Sequence, residues 1–243
     1  MALLTHAAQA SSLDEVKAKM QASYGEITVE KTPFEEIYTY YPTANPEQAG
    51  VRLTTSDLSA RANDGKNRGW QHRDGGGPLP DEEVTKLRQA AVSQLPMKDA
   101  LLFIKKAAPV GVMIYSAVDC GACVVLEQIL SKSNLSYGVF PWALSGARLP
   151  IAEDVWCDVN PQKAWSQLML KRELVTQRRA TECVYPKANI AAVGSMFGYR
   201  QTPTIILADG STIQMDDDPV VQKKMIATIR ENVRKGIVFK TTP

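Results

Sequence analysis

Two cysteines separated by two residues, in the run Cys120-Gly121-Ala122-Cys123, are the side chains whose type and spacing most directly support chemistry. An apolar run at 110–115 precedes them and reads as a strand; across 121–132, Val124, Val125, Leu126, Ile129 and Leu130 recur at helical spacing. The pair therefore stands at a strand-to-helix junction, with Asp119 in the turn. There the first helical turn presents unpaired N–H groups and the positive end of the helix dipole, which together stabilise a sulfur anion. A thiolate is the form of cysteine that attacks a disulfide, so a lowered pKa at Cys120 populates the nucleophile and makes it a better leaving group. Cys123, one turn further on and more shielded, is placed to attack the resulting mixed disulfide and release the bound partner. Gly121 permits a tight turn and close approach of that partner, while Ala122 adds neither charge nor hydrogen bond. Asp119 is a candidate tuning group, since a nearby negative charge opposes ionisation of Cys120; its plain role is that of a solvated turn residue.

The same Cys-x-x-Cys spacing serves zinc. The chain has four cysteines and two histidines. A zinc set would have to join Cys120 and Cys123 to Cys157 and Cys183, which are far from each other in sequence, while His6 and His72 lie in a different region. No metal and no cofactor is assigned. Asp216-Asp217-Asp218, before Pro219, reads as a solvated loop leading into a helix. The net charge of +2, from 28 basic and 26 acidic residues interspersed, leaves no electrostatic footprint for nucleic acid or an anionic membrane. Arg178-Arg179 and Lys223-Lys224 read as exposed charges. No run approaches the roughly 18 to 20 apolar residues of a membrane span. Met1-Ala2-Leu3-Leu4-Thr5-His6 carries neither a basic n-region nor an apolar h-region, so a secretory signal has been removed or never existed.

With 243 residues, 44% hydrophobic and 22% charged, the chain has room for two domains. Residues 12–25 read as a helix, with Ser12 and Glu15 as a capping box, Leu13, Val16 and Met20 on one face, and Gly25 at the end. From 27 to about 73, short bursts such as Ile37-Tyr38-Thr39-Tyr40-Tyr41 suggest a small antiparallel sheet, with a turn at Asp64-Gly65. Gly75-Gly76-Gly77-Pro78 is a break, after which Pro80-Asp81-Glu82-Glu83 opens a linker helix whose stripe, Val84, Leu87, Ala91 and Leu95, runs as far as Pro96. Beyond it come strands at 101–104, at 110–115 (central) and at 137–142. Helical periodicity at 151–192, including Ala164, Leu168 and Leu170 around Trp165, marks an insertion. A helix at 188–197 ends at Gly198. A strand at 204–207, a turn at Asp209-Gly210 and a return at 211–214 follow. Val221, Met225, Ile229 and Val233 give a final helix one apolar stripe. Trp156 and Trp165 read as core, and Trp142, near a strand end, as a candidate surface contact.

Gln201-Thr202-Pro203-Thr204 sits just before a strand, where proline removes a backbone donor and marks a cis peptide or an edge. For an isolated X-Pro pair, a trans proline in a loop is the plain reading. Joined to the strand before Cys120-Gly121-Ala122-Cys123, to Phe140-Pro141 and to Trp156-Cys157, Thr202-Pro203 gains weight. On these features residues 98–243 resemble the catalytic domain of the bacterial DsbC/DsbG disulfide isomerases. The N-terminal region resembles theirs by layout alone: a helix, a small sheet with Asp64-Gly65-Lys66 at a turn, and a linker helix.

The resemblance implies an α/β (α+β) architecture: a thioredoxin-like catalytic domain at 98–243 with a helical insertion at about 150–192, preceded by a small α+β dimerisation domain at 1–78 and a linker helix at 79–97. It implies a periplasmic, homodimeric protein disulfide isomerase. Cys120 would form mixed disulfides, Cys123 would resolve them, and Gly121, Ala122, Thr202 and cis-Pro203 would meet the substrate backbone. The implied partners are misfolded or wrongly disulfide-bonded secreted proteins and a membrane reductase of the DsbD type. Cys157 and Cys183 match the family's second, structural disulfide; on the residues alone, two buried free thiols are the alternative. If bridged, they would restrain the insertion by about 3 kcal/mol in the chain-entropy model. Two departures stand out: the residue after Gly121 is aromatic in the DsbC pattern and Ala122 here, and 57–77 is rich in Asp, Gly and Arg. A net oxidase or reductase of the same fold, and a chaperone-like binding module, remain alternatives.

Overall fold

The computed structural model describes residues 12–44, 52–62, 69–74, 76–106, 108–174, 176–177, 182–198, 201–216 and 218–240. The chain's first residues with His6, the Asp64-Gly65-Lys66 turn, Gly75, Arg178-Arg179 and Asp217 lie outside them. The chain divides into two compact units, one ending at Pro80 and one beginning at Asp81.

In the first unit, Ser12 Oγ accepts from Glu15 N while Glu15 Oε2 accepts from Ser12 N, which starts α1 (Leu13–Tyr24); Gly25, at φ 76°, ends it. Val16 and Met20 face inward from α1. Strands β1 (Ile27–Lys31), β2 (Ile37–Pro42), β3 (Arg52–Thr55), β4 (Ala60–Ala62) and β5 (Trp70–His72) form an antiparallel sheet in chain order. Ile27 and Val29 alternate inward from β1 and meet Val16, Met20, Tyr38, Tyr40 and Leu58 in one core.

The second unit opens with α2 (Asp81–Val92) and is built on β6 (Leu101–Phe103), β7 (Val110–Ala117), β8 (Ser136–Trp142), β9 (Thr204–Ile206) and β10 (Thr212–Gln214). Their order in the sheet is β10-β9-β7-β8-β6, so β7 is central; all 8 of its residues are buried, which is why it reads as an unbroken apolar run. β7 runs parallel to β8 and antiparallel to β9. The carboxyl ends of β7 and β8 and the amino end of β9 therefore share one edge of the sheet. There α3 (Gly121–Ser131) begins, and α4 (Leu149–Trp156), α5 (Pro161–Ser166) and a π-helical turn (Gln167–Lys171) form the insertion. α6 (Lys187–Gly198) lies against the sheet so closely that a Cβ on Gly194 would run into the Tyr115 ring. α7 (Pro219–Arg234) buries Met225 and Ile229.

Three expectations are corrected. The stripe of α2 stops at Val92, because Gln94 N and Leu95 N fold back to Ala91 O and Val92 O and end the helix before Pro96. Leu170 is exposed on the π turn while Ala164, Trp165 and Leu168 are buried. In α7 a strict four-residue recurrence advances about 40° per step around a 3.6-residue helix, so Val221 at one end is exposed and Val233 at the other only half-buried.

α2, read from sequence as a linker, is bonded into the second unit by Arg88. Its Nη2 donates to Phe197 O at 2.8 Å, its Nε to Met196 O at 3.4 Å and its Nη1 to Thr212 Oγ1 at 3.1 Å. The two carbonyls belong to the last turn of α6, where acceptors lack helical partners and a cation complements the dipole. Replacing Arg88 by Ala leaves them without this donor and is expected to lower the stability of the second unit by about 1–3 kcal/mol, read as a shift in its urea unfolding midpoint.

Candidate active site

Cys120 is the N-cap of α3, at the edge where β7 and β8 end. Its Sγ accepts from Cys123 N at 3.2 Å, as an N-cap oxygen would. Because Tyr115 pairs with Thr204, the residues just before β9 lie beside those just after β7. The Cys120 thiol donates to Thr202 O at 3.4 Å, and the Thr202–Pro203 peptide is cis. The structure thus brings Cys120, Cys123, Thr202 and Pro203 together.

The Cys120 pKa is lowered from 9.0 to about 6. The Cys123 side chain is the largest cause; Thr202 and the N–H groups of Cys123 and Ala122 add to it, against the opposing effect of burial. In the protonated arrangement Thr202 Oγ1 is buried and has no hydrogen-bond partner among the described residues. Its stabilising effect belongs to the ionised state, when the hydroxyl can turn to donate to sulfur. Cys123 is the opposite case: burial, and then the neighbouring Cys120, push its thiol far above the ordinary cysteine value. Its Sγ lies 3.4 Å from Ala117 N, which donates to it. Both thiols are free.

Of the two roles read for Gly121, a tight turn and close approach of a partner, the structure does not require the first. Its φ is not left-handed, and a Cβ would meet nothing within 4 Å, so neither the turn nor close packing requires glycine. Its missing side chain leaves space open beside Cys120; Ala122 is half-buried. Asp119, read as a brake on the thiolate, turns its carboxylate onto Leu144 N (2.7 Å) and Ser145 N (3.0 Å), tying the turn to the chain after β8. Trp142 is half-buried, its ring tilted against Tyr115 at 6.1 Å.

Cys157 and Cys183 are joined in a disulfide. That removes two ligands from the four-cysteine zinc set, and no group of three or more potential ligands clusters among the described residues. The bridge fixes the end of α4 to the segment before α6, where Tyr185 Oη donates to Pro141 O at 2.5 Å.

Glu127 escaped sequence reasoning. It is 3% exposed, and its carboxylate accepts from Tyr137 Oη at 2.7 Å and from Trp165 Nε1 at 3.0 Å, joining α3 to β8 and to α5. Burial raises its pKa, while these two donors work the other way. The available signal was one acidic residue among Val124, Val125, Leu126 and Leu130, one turn beyond Cys123.

A dithiol at the amino end of a helix, facing a cis-proline loop on a mixed central sheet, defines a protein of the thioredoxin fold. No family model matches the chain. It is similar to the probable thiol:disulfide interchange protein DsbC of Bordetella pertussis, with 28% identity over 149 residues covering 56% of this chain and 52% of that protein. The proteins of the same name from Bordetella parapertussis and Bordetella bronchiseptica match at the same 28%. The chain spans about half the length of the curated relatives it matches, 52%. Among solved structures, Proteus mirabilis ScsC in a transitional conformation shares the fold at a TM-score of 0.50 and 14% identity, over 65% of this chain and 82% of that one. A disulfide interchange protein from Neisseria gonorrhoeae aligns at a TM-score of 0.47 and 25% identity, over 56% of this chain and 97% of that one. Over 56% of its length the chain is thus similar to thiol:disulfide interchange proteins named DsbC, and it shares a fold with ScsC.

Two measurements test the site. Alkylation of the reduced chain by iodoacetamide, mapped by mass spectrometry, is expected to follow the thiolate with a midpoint at about 6 and to modify Cys120 and spare Cys123; a midpoint near 9.0 would show that the sulfur gains nothing from its neighbours. For Glu127, a raised pKa means that the folded chain holds this proton more tightly than the unfolded one. Its contribution to stability therefore falls as pH rises from about 4.5 through the folded value, and the cost persists above it. Glu127→Gln, whose amide can still bond Tyr137 and Trp165, is expected to flatten that part of the pH dependence, measured as urea midpoints between about pH 4 and 8.

Proposed function

We propose that this chain is a thiol-disulfide oxidoreductase acting as a protein disulfide isomerase on wrongly bonded secreted proteins in the periplasm. The observation that carries this reading is the unequal dithiol: Cys120 with a pKa of about 6, at a helix end beside Thr202–Pro203, and Cys123 held as a thiol beneath it. At neutral pH Cys120 is then mostly thiolate. It attacks one sulfur of a substrate disulfide; that bond breaks, and the other sulfur leaves with the electron pair and takes a proton from water. A mixed disulfide remains. In isomerisation a second substrate thiolate attacks the substrate sulfur of this bond, forming a new substrate disulfide and returning the Cys120 thiolate with no net redox change. In the escape route Cys123 loses its proton and attacks Cys120 Sγ; the substrate leaves as a thiol, and a Cys120–Cys123 disulfide is left. The raised pKa of Cys123 slows this route and gives the substrate time to rearrange. The backbone of Thr202, Gly121 at the open side and Ala122 flank the place where the substrate chain would lie.

Turnover after escape needs a reductant, for which a membrane reductase of the DsbD type is the proposed partner. The first unit is proposed to join two chains in a homodimer, and the paired chains to hold unfolded substrates in a chaperone-like manner. A net oxidase is the second reading, favoured by one observation: a low Cys120 pKa stabilises the dithiol form and makes the corresponding disulfide more oxidising.

Insulin reduction and the refolding of a scrambled multi-disulfide protein separate these readings. For an isomerase, Cys120→Ser is expected to lose both activities, and Cys123→Ser to lose sustained insulin reduction, still rearrange the scrambled substrate and accumulate mixed disulfides. Oxidation of reduced substrate that requires both cysteines, with no recovery of the scrambled one, would identify the oxidase. A wild-type chain inactive in every assay would sink the redox reading.

A further inference from the structure

Beside the cysteine pair, the second unit has a cleft of about 440 Å³. One wall is Val118 and Asp119, the two residues before Cys120, and the apolar lining is Ile151, Leu168 and Leu174 from the insertion and the segment after it. Two guanidinium groups also line it, those of Arg148, just before α4, and Arg172, which ends the π turn with φ 60°. Among the described residues neither arginine side chain makes an ion pair or a hydrogen bond, and both are exposed. Among the described lining residues the one carboxylate, that of Asp119, already accepts from Leu144 N and Ser145 N. Among the described residues the lining of the cleft therefore carries excess positive charge beside apolar side chains, and its Val118–Asp119 wall leads directly into Cys120.

We propose that this cleft receives an acidic side chain of the substrate polypeptide, close in sequence to the cysteine under attack. The carboxylate meets Arg148 and Arg172, and an adjoining apolar side chain rests on Ile151, Leu168 and Leu174. The inference rests on the thiol-disulfide reading, because the position of Cys120 sets where the substrate chain passes. It adds a specificity: among exposed disulfides, those flanked by Asp or Glu react faster. A guanidinium suits this role, since its fork of donors matches a carboxylate. At an open cleft the attraction is modest and screened by salt.

Two short peptides differing only in Glu or Gln near a single cysteine, each carrying that cysteine as a mixed disulfide with thionitrobenzoate, provide the test. In the Cys123→Ser chain the Cys120 thiolate attacks the peptide sulfur, a Cys120–peptide disulfide forms, and coloured thionitrobenzoate leaves with the electron pair. The Glu peptide is expected to react about three- to tenfold faster at low salt, with the ratio falling towards one as salt is added. In the chain that also carries Arg148→Gln and Arg172→Gln, the ratio should be about one at low salt. Equal rates for the two peptides before the arginines are replaced, or a preference that survives their replacement, would overturn the proposal. If neither peptide releases thionitrobenzoate, Cys120 is not the nucleophile and the thiol-disulfide reading fails separately. Binding to the Cys120→Ser chain then decides the cleft: chemical shift changes at Arg148 and Arg172 with the Glu peptide over the Gln peptide support it, and their absence overturns it.

Discussion

The hydrogen bond from the Cys123 N–H to the Cys120 sulfur, at the amino end of α3, is the contact around which the second unit is arranged. It depends on placements made far from it in sequence. β7 must end where α3 begins, which the complete burial of that strand secures. β9 must run antiparallel to β7, so that the loop carrying Thr202 and Pro203 returns to the same edge. With both satisfied, the sulfur has a helix end on one side and Thr202 on the other, and its ionised form is favoured despite burial.

The same packing makes the two cysteines unequal. They are one helical turn apart, yet Cys120 is 6% exposed against 1% for Cys123. A small difference in exposure matters because each gains or loses from the other: a hydrogen from Cys123 lowers Cys120, and the charge that results raises Cys123 further. One sulfur is thereby biased towards the anion and the other towards the thiol, a division that two equivalent thiols at the same spacing would not reach.

Much of this was legible in sequence because it is local. The capping box at Ser12, the strand-to-helix junction at Cys120 and the Asp209-Gly210 turn each express a preference set within a few residues. What was missed is held by tertiary contacts. Arg88 and Glu127 look like solvated charges on amphipathic helices, and their roles are set by the carbonyls of Met196 and Phe197 and by the donors of Tyr137 and Trp165, none of them near in sequence. The pairing of Cys157 with Cys183 came from family resemblance, since a separation of 26 says nothing about whether two sulfurs meet. For Gly121 the tight-turn reading was too strong: glycine at a turn suggests a backbone demand, and here a Cβ would meet nothing within 4 Å.

The supports are distributed unevenly about the sulfur. Behind Cys120, Glu127 ties α3 to β8 and α5, and Tyr185 pins the end of β8 through Pro141. Around Gly121 the space is open, and Leu144, whose N–H Asp119 holds, is exposed. The insertion belongs to both sides: it contributes Trp165 to the buried network and Ile151, Leu168 and Arg172 to the cleft beside the nucleophile. Any drift of the insertion would move one wall of that cleft relative to Cys120. The Cys157–Cys183 bridge ties the end of α4 covalently to the segment before α6, and the loop it closes disfavours the unfolded chain by about 3 kcal/mol in the entropic account. Of the two bridged residues Cys157 is 2% exposed and Cys183 half-buried, so the end of the bridge on α4 lies in the core.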